Sequence, residues 1–103
     1  MASRAQYISW MREQGLSSAT IKKYADDTPN NLEVQRVLSR LAGSANMYNC
    51  DDAIKLQSII RMVESMEFDI VGHKMYSAGL KKYLKFLNRN WFCYQFQIIP
   101  EHC

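Results

Sequence analysis

The sequence predicts an all-α protein, a compact bundle of about five helices with a short extended arm at its carboxyl end. Apolar residues recur at helical intervals in separate segments, and Gly, Ser and Asp stand at the segment ends. The chain has 103 residues, 48% of them hydrophobic and 22% charged, which is typical of a folded protein with a single core. We therefore expect residues 1–90 to form one helical domain and residues 91–103 to form an aromatic arm, packed on that domain or on a second subunit.

The first two helices are predicted from their end signals. Ser3 followed three residues later by Gln6 is a pattern that satisfies the free backbone N–H groups at a helix start. The inward residues of this helix are predicted to be Tyr7, Trp10, Met11 and Gln14. Gly15 permits the left-handed backbone that ends a helix, and Ser17 can cap the next one. The inward residues of the second helix are predicted to be Ile21, Tyr24 and Ala25.

The third and fourth helices follow a break at residues 28–31, Thr-Pro-Asn-Asn. The third is predicted from an apolar stripe that ends at Gly43 and consists of Leu32, Val34, Val37, Leu38 and Leu41. Asp51 and Asp52 can cap the fourth and complement its positive end. Its inward residues are predicted to be Leu56, Ile59, Ile60 and Val63. Residues 65–71 are expected to be a connector.

The fifth helix, which follows Gly72, has the clearest helical pattern. Its predicted inward stripe is Tyr76, Leu80, Tyr83, Leu84 and Leu87. Gly79 in mid-helix costs about 1 kcal/mol relative to Ala, which indicates close approach by another backbone. The same rotation turns another set toward solvent, namely Lys74, Ser77, Ala78, Lys81, Lys82, Lys85 and Arg89.

Positive charge is concentrated around this helix. Residues 71–97 hold five basic side chains and no carboxylate, in a chain whose formal net charge is +3, so the remainder is net acidic. Such a patch indicates a polyanion, and DNA is the predicted partner. We expect phosphates to contact Lys81, Lys82, Lys85 and Arg89. Lys74 and the Ser77 hydroxyl would support the register, with little preference for base sequence. A face that only keeps the helix soluble is the alternative.

A second DNA-binding surface is predicted at Thr20, Lys22 and Lys23. A helix, a tight Gly turn and another helix is the order of a helix-turn-helix, although such hairpins are also common in proteins that do not bind DNA.

The carboxyl-terminal segment changes from helical spacing to alternation, which is typical of a strand or an extended arm. The arm is expected to pack on its own helices, to pair with a second copy in a homodimer, or to bind another polypeptide. The residues predicted for such an interface are Trp91, Phe92, Tyr94, Phe96 and Ile98.

Two segments are similar to known families. Tyr7-Ile8-x-Trp10-Met11, then Gly15-Leu16-Ser17 and Thr20-Ile21-x-x-Tyr24, resembles the opening of the SAM-like core-binding domain of tyrosine recombinases and phage integrases. Residues 72–87, Gly-His-Lys-Met-Tyr-Ser-Ala-Gly-Leu-Lys-Lys-Tyr-Leu-Lys-Phe-Leu, look like a segment near the amino terminus of certain restriction endonucleases. The resemblance implies DNA clamping or an accessory role in mobile-element or restriction systems. We expect this chain to lack the catalytic domain that follows in those families.

The sequence shows no cluster of residues that would support catalysis. His73 and Tyr76 could form an acid–nucleophile pair, but a structural role is the preferred interpretation. The pairs at residues 26–27 and 51–52, both Asp-Asp, are interpreted as helix-end acids. His102 and Cys103 have only Cys93 as a further zinc ligand. We therefore predict a protein that is not an enzyme, with no cofactor, no metal and no small-molecule substrate.

Localisation follows from what the sequence lacks. The first residues have no apolar run of the kind a secretory signal needs, and no stretch is long enough to span a bilayer. Cys50, Cys93 and Cys103 are odd in number and widely spaced, so reduced thiols and a cytoplasmic protein that does not bind membranes are expected. Two functions stay open: a DNA-binding module without catalytic activity, or an adaptor that binds another polypeptide through its helical groove and aromatic arm.

Overall fold

The computed structural model describes residues 4–89, which fold as an all-α bundle with no strand in that range. The α-helices are α1 (Arg4–Glu13), α2 (Ser18–Lys22), α3 (Thr28–Asn30), α4 (Leu32–Ala42), α5 (Ala53–Glu64), α6 (Glu67–Val71) and α7 (Met75–Leu87). A π-helical turn, Lys23–Asp27, joins α2 to α3, and a 3₁₀ turn, Met47–Asn49, precedes α5. The predicted fold class is confirmed. None of these helices is both long and apolar enough to cross a bilayer.

The helix ends follow local chemistry that the sequence displays. Ser17 caps α2 by accepting the N–H of Thr20, and Asp52 caps α5 by accepting two backbone N–H groups. Gly15 and Gly43 have φ values of 85° and 77°, in the left-handed region that ends a helix. These predicted caps are confirmed. The predicted cap of α1, Ser3, lies outside the described residues.

Two predictions about the segments between helices are wrong, and so is the prediction that Leu32 belongs to the apolar stripe of α4. The expected connector at residues 65–71 contains the helix α6, which begins at Glu67. The chain stays helical through Thr28 and Pro29 and leaves the helix at Asn31, whose side chain caps α4. Leu32 is 68% exposed because it stands at the first position of α4, beyond the part of the helix that meets the core.

The mid-helix glycine of α7, Gly79, marks a contact with Thr28, the first residue of α3. A Cβ on Gly79 would lie 2.5 Å from Oγ1 of Thr28, so no other residue fits without a shift. The Thr28 hydroxyl donates a hydrogen bond of 3.0 Å to the carbonyl of Lys23. A side chain, rather than the backbone that we predicted, therefore approaches Gly79.

The amino-terminal end of α7 is capped by Asp69, a fully buried residue of the preceding helix α6. Its Oδ1 accepts the backbone N–H groups of Tyr76 and Ser77, both at 3.0 Å. Oδ2 is buried without a hydrogen-bond partner among residues 4–89. His73 and Lys74, just before the helix, have φ values of 58° and 64°, which residues other than Gly rarely adopt. A sharp left-handed turn thus joins α6 to α7 and is held by a buried carboxylate.

α7 forms the centre of the bundle, where it contacts α1, α3, α5, α6 and the π-helical turn. The ring of Tyr83 lies 5.3 Å from that of Tyr7 and 5.6 Å from that of Tyr48, in edge-to-face arrangements. Tyr7 donates its hydroxyl to the carbonyl of Gly79, and Tyr48 donates to the carbonyl of Ala25. Burial raises the pKa of Tyr48 to about 12. The inward residues predicted for the fourth helix are all buried.

The described range does not reach the predicted aromatic arm. The interface residues Trp91, Phe92, Tyr94, Phe96 and Ile98 all lie outside it, as do Cys93, His102 and Cys103. The predicted arm and its pairing therefore stay predictions.

Candidate nucleic-acid interface

The outer face of α7 is narrower than the sequence predicts, because Ser77 is buried and both Ala78 and Lys82 are half-buried. The buried positions are Ser77, Gly79, Leu80, Tyr83 and Phe86. Of the predicted stripe, Tyr76, Leu84 and Leu87 are only partly buried. Gly79 is among the buried positions because Thr28 of α3 packs directly on it.

Ser77 is the clearest correction to the predicted DNA-binding set. The residue is 1% exposed, and its hydroxyl donates to the carbonyl of Lys74 at 3.2 Å. Its backbone N–H is bound to Asp69. The hydroxyl is thus part of the buried first turn of α7 and does not reach solvent, so it cannot support the register of DNA.

Two of the predicted lysines are held by Glu64 at the carboxyl end of α5. Nζ of Lys81 lies 2.9 Å from Oε2 of Glu64, and Nζ of Lys74 donates to the Glu64 backbone carbonyl at 2.6 Å. Lys74 precedes α7 instead of lying within it. We call Lys74 and Lys81 the Glu64-bound lysines. Glu64 partly neutralises the charge of Lys81, and its backbone carbonyl holds Lys74. Both lysines therefore contribute less to a positive surface.

The other three predicted cations lie toward the carboxyl end of α7, and we call Lys82, Lys85 and Arg89 the groove cations. Within residues 4–89, no carboxylate oxygen lies within salt-bridge distance of any of them. Nζ of Lys82 lies 5.8 Å from the centre of the Trp10 ring. Arg89 covers the Phe86 ring at 4.1 Å and donates to the Phe86 carbonyl. These contacts orient two of the cations without neutralising their charge.

A groove opens beside these cations, between α1 and α7. Its volume is about 450 Å³, and it is lined by Trp10, Gln14, Leu84, Lys85, Asn88 and Arg89. Trp10 is partly exposed, and its ring packs 5.6 Å from that of Phe86. The lining combines an indole, two cations and two amides with no acid. A cleft of this kind can hold a flat or anionic group against a positive wall.

The predicted second surface is composed of groups that are partly engaged elsewhere. The Thr20 hydroxyl accepts a hydrogen bond from Ser17 and is half-buried. Nζ of Lys22 lies 3.7 Å from Asp27, a loose ion pair. Lys23 is exposed at the start of the π-helical turn. Of these three predicted residues, only Lys23 is an exposed cation with no ion pair among the described residues.

Four side chains that could act as acids, nucleophiles or metal ligands have structural roles in the bundle. Asp26 makes two hydrogen bonds with the Arg4 guanidinium, at 2.7 and 2.9 Å, and this pairing lowers the pKa of Asp26. Asp52 caps α5. Tyr76 packs on Phe68, with ring centres 5.2 Å apart. Cys50 is a buried free thiol whose pKa is raised by burial. Across residues 4–89, no three metal-ligating side chains come together.

Sequence reasoning missed the groove because its wall comes from two helices that are distant in the chain. Trp10 and Gln14 were predicted to point inward on α1, yet Gln14 is exposed and both line the groove. Leu84 and Asn88 complete it from α7. The only signal in the sequence was the spacing of Trp10 and Gln14, since residues four apart lie on one face of a helix.

None of the known protein-family models, curated proteins or solved structures matches this chain. The similarity to recombinase and restriction-endonuclease modules therefore stays a prediction from the residues that suggested it.

Proposed function

We propose that this chain is a DNA-binding module without catalytic activity, which contacts the sugar–phosphate backbone through Lys82, Lys85 and Arg89. The observation that carries the proposal is that these cations share one end of α7 and face no carboxylate among the described residues. An unneutralised cluster attracts a polyanion and releases its bound counterions on contact. Phosphate contacts fix position without reading bases, so little sequence preference is expected.

The proposal uses fewer cations than the sequence suggests, because Lys81 is paired with Glu64. Three phosphate contacts give a log–log dependence of affinity on salt with a slope of about −2.7 on duplex DNA. Four contacts, with Lys81 included, give about −3.6. The slope therefore measures how many of the predicted cations take part.

The test is a titration of a fluorescently labelled random-sequence duplex, followed by anisotropy at low salt and at several higher salt concentrations. We expect the triple variant K82Q/K85Q/R89Q to lose most of the affinity. The matched control is R40Q/K55Q/R61Q, which removes the same charge from exposed positions on α4 and α5. It should retain more affinity than the groove variant. Equal losses in the two variants, with unchanged circular dichroism, would rule out the proposed surface.

A polypeptide-binding adaptor is the second candidate, and exposed apolar side chains on α6 favour it. Ile70 and Val71 are 54% and 70% exposed at adjacent positions. Scattered apolar residues are normal on a surface, so this pair is a weaker indication than the cation cluster. A chain that retains no duplex at low salt would favour the adaptor. A cytoplasmic location, a homodimer through the arm and a role in mobile-element or restriction systems belong to the same set of proposals.

A further inference from the structure

The groove between α1 and α7 offers an aromatic surface next to the proposed phosphate contacts. Trp10 lines it from α1, Lys85 from α7 and Arg89 from just beyond the end of α7. The indole is held in place by aromatic neighbours, since its ring centre lies 5.6 Å from that of Phe86 and 6.4 Å from that of Tyr7. A rigid and partly exposed indole loses little side-chain entropy when a second flat ring stacks on it.

The remaining lining groups suit a base rather than an aliphatic ligand. Gln14 and Asn88 each offer an amide that can donate and accept hydrogen bonds. The volume of about 450 Å³ lies in the range of small-ligand sites. Neither wall of the groove carries a carboxylate that would repel a phosphate.

We propose that the groove binds an unpaired base of single-stranded DNA, which stacks on Trp10 while the flanking phosphates contact Lys85 and Arg89. This inference deepens the proposed DNA-binding function and rests on it. Proteins that bind single strands combine a positive groove with aromatic side chains on which bases stack. In a duplex each base face is covered by its neighbours, so only an unpaired base can use the indole. The chain should therefore bind a single strand more tightly than a duplex of equal length.

The first measurement is the emission of Trp10 itself. The chain has two tryptophans, so the variant W91F leaves Trp10 as the only one. We expect oligo(dT) to quench its emission at saturation and a duplex of equal length to quench it much less. Unchanged emission with saturating oligo(dT) would overturn the inference.

The second measurement compares affinities in the otherwise natural chain. Loss of a base–aromatic stack reduces affinity by about 5- to 150-fold, so W10L should weaken oligo(dT) binding by at least that lower factor. Duplex affinity should fall by a smaller factor than oligo(dT) affinity, because the indole orients only Lys82 among the three proposed phosphate contacts. W10F keeps a stacking ring and should retain most of the oligo(dT) affinity. Thermal unfolding of both variants separates lost binding from lost folding, and if W10L does not fold, the emission measurement decides alone.

The outcomes separate this inference from the function on which it rests. Duplex binding that depends on Lys82, Lys85 and Arg89, without preference for single strands, leaves the proposed function standing and overturns the groove assignment. No binding of either nucleic acid overturns both. Tighter binding of oligo(rU) than of oligo(dT) would overturn the assignment to DNA. Competition by poly-glutamate as strong as that by oligo(dT) would show that charge alone acts, and would overturn the stacking role.

Discussion

Two groups of cations on or beside α7 have different contacts in this bundle. The Glu64-bound lysines, Lys74 and Lys81, are tied to the end of α5. Of the groove cations, Lys85 and Arg89 line an open cleft against α1, and Lys82 lies over the Trp10 ring. Lys81 and Lys82 are adjacent in sequence, yet the helix directs them toward different neighbours. The difference teaches that a run of positive charge defines a binding surface only after its tertiary partners are known.

The two ends of α7 differ in construction as well as in charge. Its amino-terminal end is fixed by the buried Asp69 and by the contact between Gly79 and Thr28. Its carboxyl-terminal end borders the groove. We therefore expect changes at the first end to act on stability and changes at the second to act on binding.

The largest effect is expected from Asp69→Ala, which leaves two backbone N–H groups at the start of α7 without their acceptor. Hydrogen bonds to a charged group contribute about 1.5–3 kcal/mol, so we expect the free energy of unfolding to fall by about 2–3 kcal/mol. Urea unfolding followed by circular dichroism measures it. Asp69→Asn keeps an acceptor oxygen and should lose less. If the Ala and Asn variants are equally stable, the buried cap does not hold the helix.

A smaller loss is expected from Gly79→Ala, because the new Cβ would lie 2.5 Å from Oγ1 of Thr28. Overpacking of this kind costs about 1–3 kcal/mol, against a gain in helix propensity of about 1 kcal/mol. The net change in unfolding free energy should still be destabilising. Thr28→Ala removes the nearest atoms, so the double variant should recover part of the loss relative to the sum of the single changes. Strict additivity would contradict the contact.

The comparison can be sharpened by freeing one of the Glu64-bound lysines. Glu64→Gln removes the carboxylate that pairs with Lys81. Because the ion pair is exposed, the free energy of unfolding should change by less than about 1 kcal/mol. The salt slope on duplex DNA should become steeper by up to about 0.9 as Lys81 gains a phosphate contact. Glu67→Gln, which removes an exposed acid on the neighbouring α6, is the matched control and should leave the slope unchanged.

The helices and their ends were predictable because their causes are local. Ser17, Gly43 and Asp52 act within a few residues of their own helix ends, and apolar periodicity located α5 correctly. The sequence predicts a connector at residues 65–71 because a helix as short as α6 gives a weak periodic signal. Its Asp69 caps α7 from seven and eight residues away, which no local pattern reveals.

The sequence predicts which cations belong to the candidate site, but it does not predict their contacts. The sequence pointed to the cations of α7 but not to the pairing of Lys81 with Glu64, seventeen residues away. Burial of Ser77 accompanies the junction of α6 and α7, where Asp69 accepts its backbone N–H, and the groove depends on how α1 packs against α7. Each of these is a tertiary contact between segments whose separation in the chain carries no periodic signal.

The most direct test removes two lysines from each group and compares the salt dependence of duplex binding. K74Q/K81Q and K82Q/K85Q lose the same charge from the same part of the chain, so a general electrostatic effect is equal in both. We expect the slope to become shallower by about 1.8 in K82Q/K85Q and to stay close to that of the natural chain in K74Q/K81Q. An equal change in both variants, or a larger one in K74Q/K81Q, would contradict the account.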